Sequence, residues 1–181
     1  MKLITIDQWD KEIWEMASPV YQQAFGGKGA KPEKIIQNML MKRICYLHLA
    51  IIGEDVLGMA LTGKLKGTSA LLIDYLTVHK DWRNKGLGLK IMDLLKDWAA
   101  TEGNFDSMVI EVESDKHPQN AARIQFWEKC GFSLTEYIHH YKWVPESYQA
   151  MYLKLHIDSL LPIEGEVLFK YIGEFHKASY R

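Results

Sequence analysis

Residues 71–88 read Leu71-Leu72-Ile73-Asp74-Tyr75-Leu76-Thr77-Val78-His79-Lys80-Asp81-Trp82-Arg83-Asn84-Lys85-Gly86-Leu87-Gly88. An apolar, strand-like run ends at Val78 and a short loop with two glycines follows. The next apolar residues, Ile91, Leu94, Leu95 and Trp98, recur at helical spacing. A strand therefore feeds a helix through a glycine-containing turn, and such a turn is suited to phosphate. The first turn of a helix presents N–H groups without intrahelical partners, at the positive end of the helix dipole. Glycine lets the backbone approach a diphosphate with no side chain in the way, and Arg83, Lys85 and Lys90 add positive charge. Two other phosphate motifs are excluded. A dinucleotide fingerprint needs a glycine where Ile91 stands, and a P-loop needs a Gly-Lys-Ser/Thr ending that is absent.

Upstream of this stretch, residues 3–5 read as a short opening strand. Trp9, Ile13, Met16, Ala17, Val20 and Tyr21 predict a helix over 8–25, broken by Phe25-Gly26-Gly27-Lys28-Gly29. Pro32 suits the first turn of a second helix, with Ile35, Ile36, Met39 and Leu40 on one face. Strand-like runs at 44–52, 56–65 and Ala70–Val78 are joined by short links, which predicts an antiparallel meander. Downstream, the pattern predicts a helix over 88–102, a strand over 108–112 and a helix over 120–130. Strands over 132–141 and 150–155 and a helix over 164–177 complete the chain. Strand–helix–strand segments demand a parallel crossover. The expected fold class is mixed α/β, with a mostly antiparallel central sheet flanked by helices.

Composition narrows the function classes. At 181 residues, 48% apolar and 25% charged, the chain is long enough for one sizeable core and too apolar for disorder. Its 22 basic and 23 acidic residues leave a net charge of −1, with no global field to hold a nucleic-acid backbone, so nucleic acid is set aside as a main partner. Cys45 and Cys130 are too few for a disulfide framework, and no spacing points to a metal. Residues 1–10 lack a basic segment followed by an apolar stretch, and no apolar run nears the roughly 20 residues of a membrane helix. The expectation is a reduced, cytoplasmic setting with no membrane partner.

Val78, Arg83, Gly86 and Gly88 stand at the spacing of a known motif, a strand ending in Val, a short linker, then Arg/Gln-x-x-Gly-x-Gly/Ala opening a helix. In this the chain resembles the GNAT superfamily, with Lys80 where that family often has proline. Asn120-x-x-Arg123-x-x-Phe126-Trp127-x-x-x-Gly131-Phe132 resembles the family's second motif, Asn-x-x-Ala-x-x-Leu/Phe-Tyr-x-x-x-Gly-Phe. Residues 51–60 look like its central hairpin. The resemblance covers about residues 1–155 and leaves 156–181 as a C-terminal extension. There, Val167, Leu168, Tyr171, Ile172 and Phe175 form one helical face. Docking on the chain's own core and docking on a second subunit in a homodimer are both open.

The resemblance implies an acetyl-CoA-dependent N-acetyltransferase whose sheet splays beyond Ala70–Val78, with acetyl-CoA in the split and no metal. Backbone N–H groups at Lys85, Gly86, Leu87, Gly88 and Leu89 would hold the pyrophosphate, with Arg83 and Asn84 beside it. The backbone at Leu76 and Val78 would pair with the pantetheine arm like an added strand. The Val78 N–H would donate to the thioester oxygen, where charge grows as the amine attacks. Asn120 would bind the pantetheine or its amide, and Trp127 would pack on that arm or fill core.

The acceptor is implied to be an amine of a small molecule or a protein. An alkylammonium, with a pKa of about 10.4, must lose a proton before it attacks. The family's carboxylate commonly lies four residues before the Val, and Asp74 stands there. A carboxylate in so apolar a strand is expensive unless it is paired or used. Glu111 and Glu113 share a face of the following strand, and Glu113 lies nearer its carboxyl end. The family's usual acid for the leaving thiolate is the tyrosine of the second motif. Here that place is Trp127, whose indole N–H does not release a proton. Tyr141 or Tyr75 is the candidate replacement, and departure of the thiolate without an acid is the other open route. Segment 114–119 is longer than the family's usual link, and its His117 lies in a loop. The tryptophan also favours a second reading, a non-catalytic acyl-CoA-binding or sensing module of the same fold.

Overall fold

Strand β1 (Lys2–Ile6) pairs antiparallel with β2 (Cys45–Ile52), and β2 pairs antiparallel with β3 (Asp55–Lys64). Between β1 and β2 lie helices α1 (Lys11–Phe25) and α2 (Glu33–Met41). The side chain of Asp10 caps α1 by accepting from the Ile13 N–H at 3.0 Å. Ala17, Val20 and Tyr21 of α1 and Ile36, Met39 and Leu40 of α2 are buried, as their spacing predicts, while Trp14, outside the predicted stripe, is buried in place of Trp9, Ile13 and Met16, which are half-exposed. The structure, a computed structural model, describes residues 1–27 and 29–181. Of the expected helix break at 25–29, residue 28 lies outside the described residues.

The fourth strand, β4 (Ala70–Val78), belongs in part to each of two compact units. Residues 1–63, 74–95 and 177–181 form the first, and 64–73 with 96–176 the second. In the first unit the strand order is β1-β2-β3-β4. The start of helix α3 (Leu87–Ala100) lies here, with Ile91, Met92 and Leu95 buried. Gly58 on β3 sets a close approach. A Cβ at that position would stand 2.7 Å from the Thr77 carbonyl oxygen and 2.6 Å from Ile91 Cδ1, so a side chain there would force β3, β4 and α3 apart. Just beyond β4, the His79 N–H donates to the Leu57 carbonyl at 2.8 Å. The one fully buried imidazole among the core residues, His48, lies between the hydroxyls of Thr5 and Thr62, 2.8 Å from each. Burial lowers it to about 3, so it is neutral in the folded chain.

In the second unit Ala70–Ile73 run parallel with Ser107–Ile110 of β5 (Ser107–Glu113), and this ladder ends there. Strand β5 pairs antiparallel along its whole length with the last strand, β8 (Ser147–Lys154). Helix α4 (Pro118–Lys129) precedes two short pieces, β6 (Ser133–Leu134) and β7 (His139–His140), both antiparallel to β8. The continuous strand expected over 132–141 is not formed. Leu134 opposes Met151 and His139 opposes Tyr148, so five steps on one side face three on the other and two extra residues are looped out. Thr135 ties down the start of this bulge, its N–H and hydroxyl both donating to the Ala150 carbonyl. Helix α5 (Gly165–Tyr180) closes the chain, with Leu168, Phe169, Ile172 and Phe175 buried. Apart from β4–β5, the ladders named here are antiparallel, and the fold is the expected mixed α/β class. Among the described residues no helix is long and apolar enough to cross a membrane.

Candidate active site

Beyond Val78, residues Lys80–Trp82 form one 3₁₀ turn and Arg83 returns to extended backbone. Asn84 (φ 61°) and Gly86 (φ 73°) then both adopt the left-handed conformation immediately before α3. Asparagine and glycine are the residues that enter this region at least cost. The left-handed positions turn the chain sharply, and α3 starts at Leu87. Its first amide groups, Leu87, Gly88 and Leu89, have no carbonyl one turn back to bond. No atom lies within 4 Å of where a Cβ on Gly86 would stand, so the turn opens outward. Two basic side chains brace it. Arg83 Nε donates to the Val78 carbonyl at 3.0 Å, and Lys85 Nζ donates to the Asp81 carbonyl at 3.0 Å over the Trp82 ring. Seven of the expected cofactor residues, Arg83 to Leu89, thus form one continuous turn at the end of the strand that carries Leu76 and Val78.

Asp74 on the same strand has a partner the sequence did not disclose. Lys31 Nζ lies 2.6 Å from Asp74 Oδ2, and the two side chains are 3% and 5% exposed. The Lys31 backbone is gripped by two phenols. Tyr21 donates its hydroxyl to the Lys31 carbonyl at 2.9 Å, and the Lys31 N–H donates to the Tyr75 hydroxyl at 3.1 Å. Tyr75 in turn donates to the Gly29 carbonyl at 2.8 Å. Burial pushes the Tyr21 phenol up to about 12 and raises Tyr75 as well, with the negative charge of Asp74 acting in the same direction. Tyr75, one of the two candidate acids, is therefore a poor proton donor committed to holding a loop.

The second unit holds the remaining candidates. Tyr141 donates its hydroxyl to Glu111 Oε2 at 2.5 Å, and His176 Nε2 lies 3.3 Å from Glu111 Oε1. Aromatic rings surround this group. His139 stacks on Phe169 at 4.3 Å, and Tyr148 meets Tyr141 edge-on at 5.5 Å. Burial lowers His139 and raises Tyr148 to about 12. Of the two strand carboxylates, Glu111 is the one held in a network. Glu113 instead lines an open cleft with Asp115, His117, Gln119, Asn120 and Arg123. Asn120 is buried and donates to the Asp115 carbonyl at 3.0 Å. His117 caps α4, its Nδ1 accepting from the Gln119 N–H at 3.2 Å. Trp127 is buried edge-on between Phe126 and Phe132, at 5.0 and 5.3 Å. Among the described residues no group of three or more His, Cys, Asp and Glu is placed to hold a metal ion.

The model of the Acetyltransferase (GNAT) family matches residues 6–132, more than two thirds of the chain. The chain belongs to this family. No curated protein sequence matches it. Its fold is that of solved GNAT structures. A GNAT-family protein from Bacteroides thetaiotaomicron superposes with a TM-score of 0.71 at 15% identity, over 98% of this chain and 95% of that one. The ribosomal-protein-S18-alanine N-acetyltransferase of Escherichia coli gives 0.62 at 14% identity, over 88% and 98%. A Bacillus anthracis protein solved in complex with acetyl coenzyme A gives 0.50 at 24% identity, over 61% and 62%. As a GNAT acetyltransferase the chain is an acetyl-CoA-dependent acyltransferase.

Against that family's pattern, the structure brings Leu76, Val78 and the turn residues onto one strand–turn–helix segment with Asp74. Asn120, Trp127, Glu113 and Tyr141 stand in the second unit. Three partners escaped sequence reading. Lys31 lies 43 residues from Asp74, His176 lies 65 from Glu111, and Tyr141 lies 30 from Glu111, so no local spacing links them. The costly carboxylate in an apolar strand was the signal that Asp74 needed a partner, but it did not say which one.

Proposed function

We propose that this GNAT acetyltransferase moves the acetyl group of acetyl-CoA to a primary amine by direct attack in a ternary complex. The observation that carries the reading is the turn at Asn84 and Gly86, two left-handed residues that open the amides of α3 at the end of a strand bearing one buried carboxylate. On this reading the amides of Lys85, Gly86, Leu87, Gly88 and Leu89 take the pyrophosphate, with the Arg83 and Lys85 side chains bracing the turn that presents them. The backbone of Leu76 and Val78 aligns the pantetheine arm, and the Val78 N–H meets the developing oxyanion. Asp74 takes the proton from the attacking ammonium. Its support is that this carboxylate of β4 is already seated against an alkylammonium, that of Lys31. Asn120 serves the pantetheine. Glu113 draws a cationic acceptor, supported by its place in an open cleft with Asp115. Tyr141 serves the leaving thiolate by giving to it the proton that its hydroxyl otherwise donates to Glu111. The packing of Trp127 between two phenylalanines supports the core role over packing on the pantetheine arm.

Calorimetric titration with acetyl-CoA, with ATP and NADH as controls, is the first test. Micromolar binding of acetyl-CoA alone, followed by release of free thiol on an amine panel, is expected. Binding without thiol release on any amine would identify a non-catalytic acyl-CoA sensor. An absence of binding would overturn the proposal.

A further inference from the structure

Lys31 is an unusual lysine. Its ammonium is withdrawn from water and set against a carboxylate, with the Tyr75 ring centroid at 5.1 Å and that of Tyr180 at 5.9 Å. Two phenols clamp its backbone, so the side chain is delivered to one place. Neither phenol competes for the proton, because both are held in the neutral form by burial. A structural reason for charge here is weak, since a buried ion pair is often no more stabilising than apolar side chains of the same volume. A chemical reason is stronger. Carboxylate on one side, aromatic faces around and water excluded are what an amine needs to be held, stripped of a proton and turned on an electrophile. The chain fills this box with its own lysine. Leu76, where the proposed pantetheine path begins, is two residues along the strand from Asp74, about 7 Å.

We infer that Lys31 is an acetyl acceptor and that the enzyme acetylates itself at this residue, an inference that rests on the role proposed above for Asp74. Asp74 accepts one proton from the Lys31 ammonium. The neutral amine attacks the thioester carbon, the C–N bond forms and the C–S bond breaks. The electron pair leaves on the sulfur of coenzyme A, which is protonated as the new amide loses its extra hydrogen. The products are N-acetyl-Lys31, the free thiol of coenzyme A and one proton.

The test is incubation of the full chain with acetyl-CoA and no amine, with acetyl occupancy read at every lysine by peptide mass spectrometry. Free acetyl-CoA reacts slowly with exposed neutral amines, and a buried, ion-paired ammonium is the least reactive kind of lysine toward it. Uncatalysed chemistry would therefore favour exposed Lys11 and Lys42 over Lys31. The expected result is the reverse. Lys31 is modified at least about ten-fold faster than either, with a rate that saturates in acetyl-CoA and does not depend on protein concentration. The preference vanishes in urea-unfolded chain. Asp74→Asn slows Lys31 modification by about 10²-fold, leaving the exposed lysines at their background rate. Acetyl-CoA binding with Lys31 unmodified, or modified no faster than Lys11 and Lys42, overturns the inference and leaves the proposed function standing. No acetyl-CoA binding overturns both.

Discussion

Replacing Lys31 by methionine removes one charge of a buried pair and leaves the other. The pair is close, 2.6 Å, and both side chains are almost wholly shielded, so the Asp74 carboxylate would face an apolar environment with no ammonium and little water. Leaving one member of such a pair uncompensated costs about 3–5 kcal/mol. The hydrogen bonds of Tyr21 and Tyr75 are to the Lys31 backbone and survive the substitution, so the loss reads the charge and not the loop. With a urea m-value of about 2 kcal/mol per molar, the unfolding midpoint should fall by about 2 M, followed by tryptophan fluorescence. The double variant Lys31→Met/Asp74→Leu removes both charges and should recover most of that loss, to within about 1 kcal/mol of the parent. A single variant that loses less than about 1 kcal/mol, or a double variant as unstable as the single one, would refute the reasoning, because the pair would then be effectively solvated.

Other perturbations probe other parts of the chain. His48 is neutral when folded and titrates near its ordinary 6.5 when unfolded, so the unfolded chain binds the extra proton between pH 6.5 and about 3, and stability falls as pH drops through that window. From pH 7 to pH 5 this one group should remove about 2 kcal/mol, and urea titrations of His48→Gln should lack that share of the pH dependence. Gly58→Val drives a side chain into the Thr77 carbonyl and Ile91 and should cost about 3 kcal/mol, with weakened acetyl-CoA binding as the end of β4 shifts. A variant as stable as the parent would contradict the close approach of β3 and β4. Gly86→Glu places a negative side chain at a left-handed position on the proposed pyrophosphate turn and should abolish acetyl-CoA binding in a chain whose circular dichroism is unchanged. Retained micromolar affinity would rule that turn out as the pyrophosphate site.

The elements that sequence reading placed well are those with a strong period or strong punctuation. Helices α1, α2, α3 and α5 each carry an apolar stripe, and β2, β3 and β4 are bounded by glycine and charged residues at their turns. Residues 132–141 were expected as one strand, and nothing local to them marks where the strand breaks. The decision to loop out residues is taken by β8, whose Ala150 carbonyl captures Thr135. His117 read as a loop residue and proved to be a helix cap, a role that exists only once the α4 amides point at it.

By itself the sequence determined the strand–turn–helix of residues 70–100. That segment is specified by neighbouring residues, with glycine and asparagine at left-handed positions, a helix start that leaves amides unbonded and an apolar period that buries one face. Tertiary structure alone decided who stands beside the strand carboxylates Asp74 and Glu111. Lys31 meets Asp74 across 43 residues, and Tyr141 and His176 meet Glu111 across 30 and 65. Such encounters follow from loop closure and packing and have no local period. The chemistry of a buried carboxylate depends on its neighbour as much as on its own identity.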